Sequence, residues 1–213
     1  MKIKVITLFP NIIESIKEYS IIGRAIKNGL IKLEIIDLRD FGLGKRKTVD
    51  DTPYGGGPGM ILRPDVIGKT ISSIKTGKPR VIVLSPKGKR LNQQIIKKIA
   101  EEKDIILVCG HYEGFDQRTL DEADEIVSIG DYVLSGGEMP ALVMIDSLAR
   151  LQKGVLGNKL SAQDESHNKK GRIEAPQYTK PEIYKKTKIP AVLLSGNHGE
   201  IAKWRKANSY TRN

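Results

Sequence analysis

The chain has 213 residues, 39% of them hydrophobic and 29% charged, which suits one good-sized soluble domain with a small appendage and excludes a disordered tail-like protein. No apolar run reaches membrane-spanning length, and a single cysteine, Cys109, excludes an intrachain disulfide and fits a reducing, cytoplasmic setting. The formal net charge of +11 points to a polyanionic partner, and residues 158–213 carry +7 of it, with twelve Lys/Arg against five Asp/Glu.

In chain order, Lys2–Leu8 alternates Ile3, Val5 and Thr7 and predicts a strand stopped by Pro10, in place of a secretory leader. Ile12, Ile13, Ile16, Ile22 and Ile26 form one helical stripe that ends at Asn28-Gly29. Leu30–Leu38 predicts a second strand. Arg39–Met60, with KRK and GGGPG, is too glycine-rich for a regular element, and Pro64 opens a helix to Lys75. Three strands follow at Arg80–Leu84, Ile105–Cys109 and Glu125–Ile129, with a helix at Asn92–Glu101 between the first two. Pro140 opens a helix to Leu151. Near-continuous apolar strands alternating with helices predict an α/β fold, a parallel sheet with helices on both faces.

Residues 1–157 are expected to form this domain. Asn158–Ala175 reads as a flexible linker and 176–213 as a small basic helical piece, in which Asn197 and Glu200 make a capping pair ahead of Ile201 and Trp204. Cys109 reads as a small buried hydrophobe. His111, His167 and His198 lack ligand spacing, so no metal site is expected from them, and neither a dinucleotide glycine fingerprint nor a P-loop is present.

Chemistry is expected at the loops that follow the strands: LSPKGKR, GHYEGFD and GDYVLSGGEMP, each mixing glycines with polar groups. With TPYGGGPGM at 52–60 and YTKPEIYKKTKIPAVLLSGNHGEIAKWR at 178–205, these strings resemble the bacterial tRNA (guanine-N1)-methyltransferase (TrmD) family of the SPOUT superfamily, over nearly the whole chain. The resemblance implies a deep trefoil knot, a homodimer with a shared active site, and S-adenosylmethionine as methyl donor. It assigns the cofactor to Leu84, Ser85, Pro86, Gly110, Ile129, Gly130, Asp131, Tyr132, Val133, Leu134, Gly136, Gly137 and Pro140.

It further implies that Tyr112, Glu113 and Ser166 meet the substrate, and that Arg150 stabilises the guanine O6. The proton on guanine N1 would go to Glu165, where the family usually has Asp, or to the neighbouring Asp164. His111 stands where an arginine is common. The expected substrate is the tRNA guanine at position 37, 3′ of the anticodon, with the basic C-terminal piece gripping the anticodon arm; neither DNA nor a membrane is an expected partner. Magnesium is an implied requirement without a residue set to mark its place. The chain stops soon after its WR motif, so that piece is expected to be trimmed. Two competing readings are a SPOUT enzyme methylating ribose 2′-OH and an RNA-binding protein without catalysis.

Overall fold

The structure is a computed structural model and describes residues 1–156, 165–169 and 171–211. It divides into two compact units, Met1–Gly157 and Asn158–Asn213.

The first unit is built on five parallel strands: β1 (Lys2–Thr7), β2 (Lys32–Asp37), β5 (Arg80–Arg90), β6 (Asp104–Cys109) and β7 (Glu125–Ser128), in the order β2-β1-β6-β5-β7. Alternate residues on each strand face opposite ways, and the core divides accordingly. Ile3, Val5, Ile82, Leu84, Ile105 and Leu107 pack on one face with Ile13 of α1 (Pro10–Glu14), Ile22 and Ala25 of α2 (Ser20–Lys27), Ile96 and Ile99 of α4 (Gln93–Ile99), and Met144, Ile145 and Leu148 of α6 (Glu138–Leu151). Ile6, Val81, Val83, Ile106 and Val108 pack on the other with Val66 and Ile67 of α3 (Pro64–Ile74) and Leu120 of α5 (Gln117–Asp121). Burying each such side chain stabilises the fold by roughly 1.5–3 kcal/mol before chain entropy is counted. The one lysine inside the sheet, Lys4, is 1% exposed and holds Asp104 Oδ2 and Thr76 Oγ1, both at 3.2 Å, so its charge is paired.

Four details depart from the sequence expectations. The stripe from Ile12 to Ile26 is two helices joined by a 3-10 turn at Ser15–Glu18. Within α2, Gly23 lies so close to that turn that a Cβ would sit 2.7 Å from the Lys17 carbonyl oxygen. Strand β5 does not stop at Leu84 but continues through the expected loop to Arg90, with a register shift between Leu84 and Lys89. Helix α6 begins at Glu138, two residues before Pro140, because Gly137 takes the N-cap position. The glycine-rich stretch holds a minimal antiparallel pair, β3 (Asp50–Asp51) with β4 (Ile61–Leu62), which ties its ends together.

In the second unit, part of the stretch expected as linker is a strand: β8 (Arg172–Ile173) pairs with β11 (Tyr210–Thr211). A hairpin, β9 (Ile183–Tyr184) and β10 (Thr187–Lys188), precedes α7 (His198–Asn208). Asn197 caps α7 by accepting from the Gly199 and Glu200 amides, while the Glu200 side chain turns to Lys203 instead of back to Asn197. Among the described residues no helix is long and apolar enough to cross a membrane.

Candidate functional site

Parallel strands leave their C-terminal ends at one edge, and the connections there are where ligands bind in such sheets. Here the chain around Leu84–Pro86, the loop after β6 and the loop after β7 converge on a cleft of about 170 Å³. Twelve of the thirteen residues expected to hold the cofactor line it: Leu84, Ser85, Pro86, Gly110, Ile129, Gly130, Tyr132, Val133, Leu134, Gly136, Gly137 and Pro140. The thirteenth, Asp131, does not line it and instead pairs with Arg90. Tyr112 and Glu113 line the same cleft, as do His111, Phe115, Ser128 and Ser135.

Close backbone packing shapes the cleft. The Gly137 amide donates to the Gly110 carbonyl at 2.8 Å, and a Cβ on Gly137 would lie 2.6 Å from Cys109 Cα. No side chain fits between these two segments. Gly130 differs: its added Cβ would meet the Tyr132 ring, at 2.3 Å, so a side chain and not the backbone stands in the way. Ser128 Oγ donates to the Gly130 carbonyl at 3.0 Å and steadies the loop after β7. Along the cleft's lining, the Glu113 amide donates to Met60 O and the Leu62 amide to Gly114 O, which fastens the end of the GGGPG stretch to the loop after β6.

Sequence reasoning missed Glu138. It is 4% exposed, in the first turn of α6, and its Oε1 accepts a 2.6 Å hydrogen bond from Thr7 Oγ1. Its Oε2 lies where a Cβ on Gly136 would approach to 2.4 Å, so the carboxylate underlies the glycine wall. Nothing in local spacing links it to Thr7; the only signal is an acidic residue inside an apolar helix start. Burial pushes the Cys109 thiol well up, with the Glu138 charge adding to it. His111 sits edge-on between Phe9, at 4.9 Å, and Tyr112, at 4.7 Å, with its Nδ1 buried and without a hydrogen-bond partner.

The charge of the lining is informative. Its twenty residues include no lysine or arginine, and its one acidic residue is Glu113. A phosphate-bearing cofactor wants cations or free helix-start amides, and Glu138 already occupies the start of α6. The cleft suits a ligand that is neutral or cationic at its reacting end, with an apolar body against Leu84, Val127, Ile129 and Leu134. The sulfonium of S-adenosylmethionine fits that description.

The remaining expected residues lie elsewhere. Arg150 stands in the last turn of α6 and does not line the cleft. In the second unit, Glu165 borders a separate hollow with Arg172, Tyr178 and Trp204, and Ser166 Oγ accepts from the Glu174 amide at 3.1 Å. Asp164 lies outside the described residues. Among the described residues no three His, Cys, Asp or Glu side chains converge to hold a metal ion, so the magnesium expectation finds no set of ligands there.

Residues 1–213 match the family described as tRNA (Guanine-1)-methyltransferase TrmD. The chain belongs to this family. Proteins named tRNA (guanine-N(1)-)-methyltransferase are similar along almost its whole length. That of Syntrophomonas wolfei is 47% identical over 212 residues, spanning 100% of this chain and 86% of its own. That of Clostridium botulinum (strain Loch Maree / Type A3) is 49% identical over 210 residues, 98% of this chain and 87% of its own. That of Photorhabdus laumondii is 48% identical over 216 residues, 100% of this chain and 86% of its own. The match extends over residues 1–213, so membership does not hang on the cleft alone.

Proposed function

We propose that this chain methylates N1 of the guanine at tRNA position 37, with S-adenosylmethionine as donor. The observation that carries the reading is the glycine-walled cleft without lysine or arginine, at the strand ends of a chain that belongs to a tRNA guanine-N1 methyltransferase family. Position 37, the anticodon arm and the trefoil knot come from the family resemblance. The tight passage of Gly137 against Cys109 and Gly110 accords with the knot, and the +7 charge of residues 158–213 accords with gripping RNA.

The cofactor, when bound, supplies an electrophilic methyl group whose bonding electrons return to sulfur as the new N–C bond forms. The chain's part is to free the nucleophile. Guanine N1 carries a proton at neutral pH and is a poor nucleophile until a base removes it. Glu165, or Asp164 beside it, accepts that proton, a contribution of roughly 10²–10⁴ in rate. Arg150 donates to O6, where negative charge gathers as the proton leaves. Tyr112 and Glu113 hold the base beside the cleft. The backbone groups of Gly110, Gly136 and Gly137 would hold the cofactor in the cleft, and the close packing of this glycine wall would keep water out. No step is routed through magnesium.

The working unit is a homodimer with a shared site. Met139 and Val143, one turn apart on α6, are 50% and 45% exposed, and Val133 and Leu134 beside the cleft are exposed as well. A second copy covering this face would bury them. The setting is cytoplasmic, where tRNA and a lone reduced cysteine both belong.

The deciding experiment is single-turnover transfer of labelled methyl to an unmodified tRNA transcript, followed by nucleoside mass spectrometry. N1-methylguanosine is expected, and it should vanish when guanine 37 is replaced. A ribose-methylated product would move the chain to another SPOUT activity. No transfer at all would leave an RNA-binding protein.

A further inference from the structure

The hairpin of the second unit has a turn that its sequence does not favour. Tyr184 pairs opposite Thr187, and Ile183 opposite Lys188, leaving Lys185 and Lys186 as the two connecting residues. Their φ angles are +47° and +70°. Two successive left-handed residues give the connection whose twist matches paired strands, and Asn-Gly is the pair that adopts it most readily. A lysine Cβ crowds the backbone there.

Burial does not compensate. All residues from 181 to 188 are exposed, Ile183 by 51% and Tyr184 by 64%. A two-stranded ribbon of this size is marginal by itself. Strained backbone that persists without packing suggests that the side chains it displays have a use. Those side chains are cationic: Lys180, Lys185, Lys186 and Lys188 stand within nine residues, with Glu182 the one acid among them. Lys185 Nζ lies 5.4 Å from the centre of the Tyr184 ring, a cation–π contact between neighbouring residues at the tip.

We propose that the β9–β10 tip is a contact for the RNA backbone, with Lys185 and Lys186 each pairing with a phosphate of the tRNA. This rests on the tRNA reading above and adds the element that does the gripping. Charge complementarity favours RNA: the tip is the exposed, cationic end of a segment with a net charge of +7.

The turn itself supplies the test. A double variant, Lys185→Asn with Lys186→Gly, gives the backbone its preferred residues while removing both charges. Its Tm should equal or exceed the parent's, and its affinity for S-adenosylmethionine should be unchanged. Its affinity for tRNA should fall on the order of tenfold near 0.1 M salt, and the slope of log K against log salt should drop by about 2. A Lys185→Arg, Lys186→Arg variant should bind as the parent does.

If the parent binds tRNA and the double variant matches it in affinity and slope, the tip is not a phosphate contact and the inference falls alone. If the parent binds no tRNA at any salt, the proposed function falls and takes the inference with it. Polyglutamate serves as a protein-like polyanion. Equal loss of polyglutamate and tRNA binding would make the tip a general anion contact, which overturns the RNA assignment.

Discussion

Thr7 Oγ1 donates a 2.6 Å hydrogen bond to Glu138 Oε1 across 131 positions of sequence, and both residues are buried. The Thr7 hydroxyl also accepts from the Phe9 amide at 2.9 Å. It thereby joins the end of β1 to the start of α6 beneath the glycine wall. Thr7→Val keeps the shape but leaves a buried carboxylate short of its donor, so stability should fall by about 2 kcal/mol. Cofactor affinity should fall with it. Thr7→Ser should stay close to the parent. A Thr7→Val protein that unfolds at the parental urea concentration would show that the bond contributes nothing.

Cys109 lies beside the same carboxylate. With its thiol held well up by burial, it should resist iodoacetamide at pH 8 in the folded protein and react once urea unfolds it. Fast, stoichiometric labelling of the native chain would contradict the burial seen here.

The two glycines of the cleft should respond differently to alanine. At Gly137 the new Cβ meets the Cys109 and Gly110 backbone, at 2.6 and 2.7 Å, and neither can yield. Gly137→Ala should lower Tm sharply and abolish cofactor binding. At Gly130 the obstacle is the Tyr132 ring, a side chain 54% exposed that can swing away. Gly130→Ala should therefore fold nearly as well as the parent while binding the cofactor more weakly. Equal thermal losses in the two variants would refute the distinction.

Catalysis separates Glu165 from Asp164. Glu165→Gln keeps size and polarity but accepts no proton, so single-turnover transfer should drop by roughly 10²-fold or more with substrate affinity little changed. Asp164→Asn should matter far less. The reverse pattern would assign the base to Asp164, and full rates in both would end the carboxylate mechanism for this chain.

Asp116 closes the loop after β6 as the N-cap of α5. A side-chain hydrogen bond from Arg118 holds its pKa at about 2, below the ordinary 3.8. A depressed carboxylate stabilises the fold above its ordinary pKa, and that contribution disappears as the pH falls from about 4 through about 2. Arg118 is 68% exposed, so screening keeps the effect small. Asp116→Asn should flatten the stability profile in that window and leave the profile above pH 5 parallel to the parent's. An identical acid limb in the two proteins would refute the assignment.

The parts legible in the sequence were those with a strong local period. Strands β1 and β6 fall where apolar runs predicted them, and the cleft gathers the glycine-rich motifs because they all follow strand ends. The break between α1 and α2 was masked by the pairs Ile12–Ile16 and Ile22–Ile26, each spaced by four. The hints of it were Gly23 and the step of six from Ile16 to Ile22, roughly 120° out of phase on a helix. Strand β8 has two residues and a partner 38 positions away, too little for any period to register. Glu138 escaped for a related reason: its environment is made by Thr7, at the far end of the chain's first strand.

The register shift in β5 has a consequence for how the protein can vary. Leu84 and Lys89 both pair with Val127, so residues 85–88 of β5 form an irregularity in the ladder that brings the strand back to the same rung. Gly88 packs against the Ile126–Val127 backbone, where a Cβ would lie 2.4 Å from the Val127 nitrogen. Most loops absorb insertions at little energetic expense. This one is clamped at both ends to a single residue, so adding or deleting a residue would slip Lys89 and Arg90 by one position and exchange their faces. The wall containing Ser85 and Pro86 is therefore fixed in length as well as in composition, and lineages with longer or shorter segments here should have rebuilt β7 too.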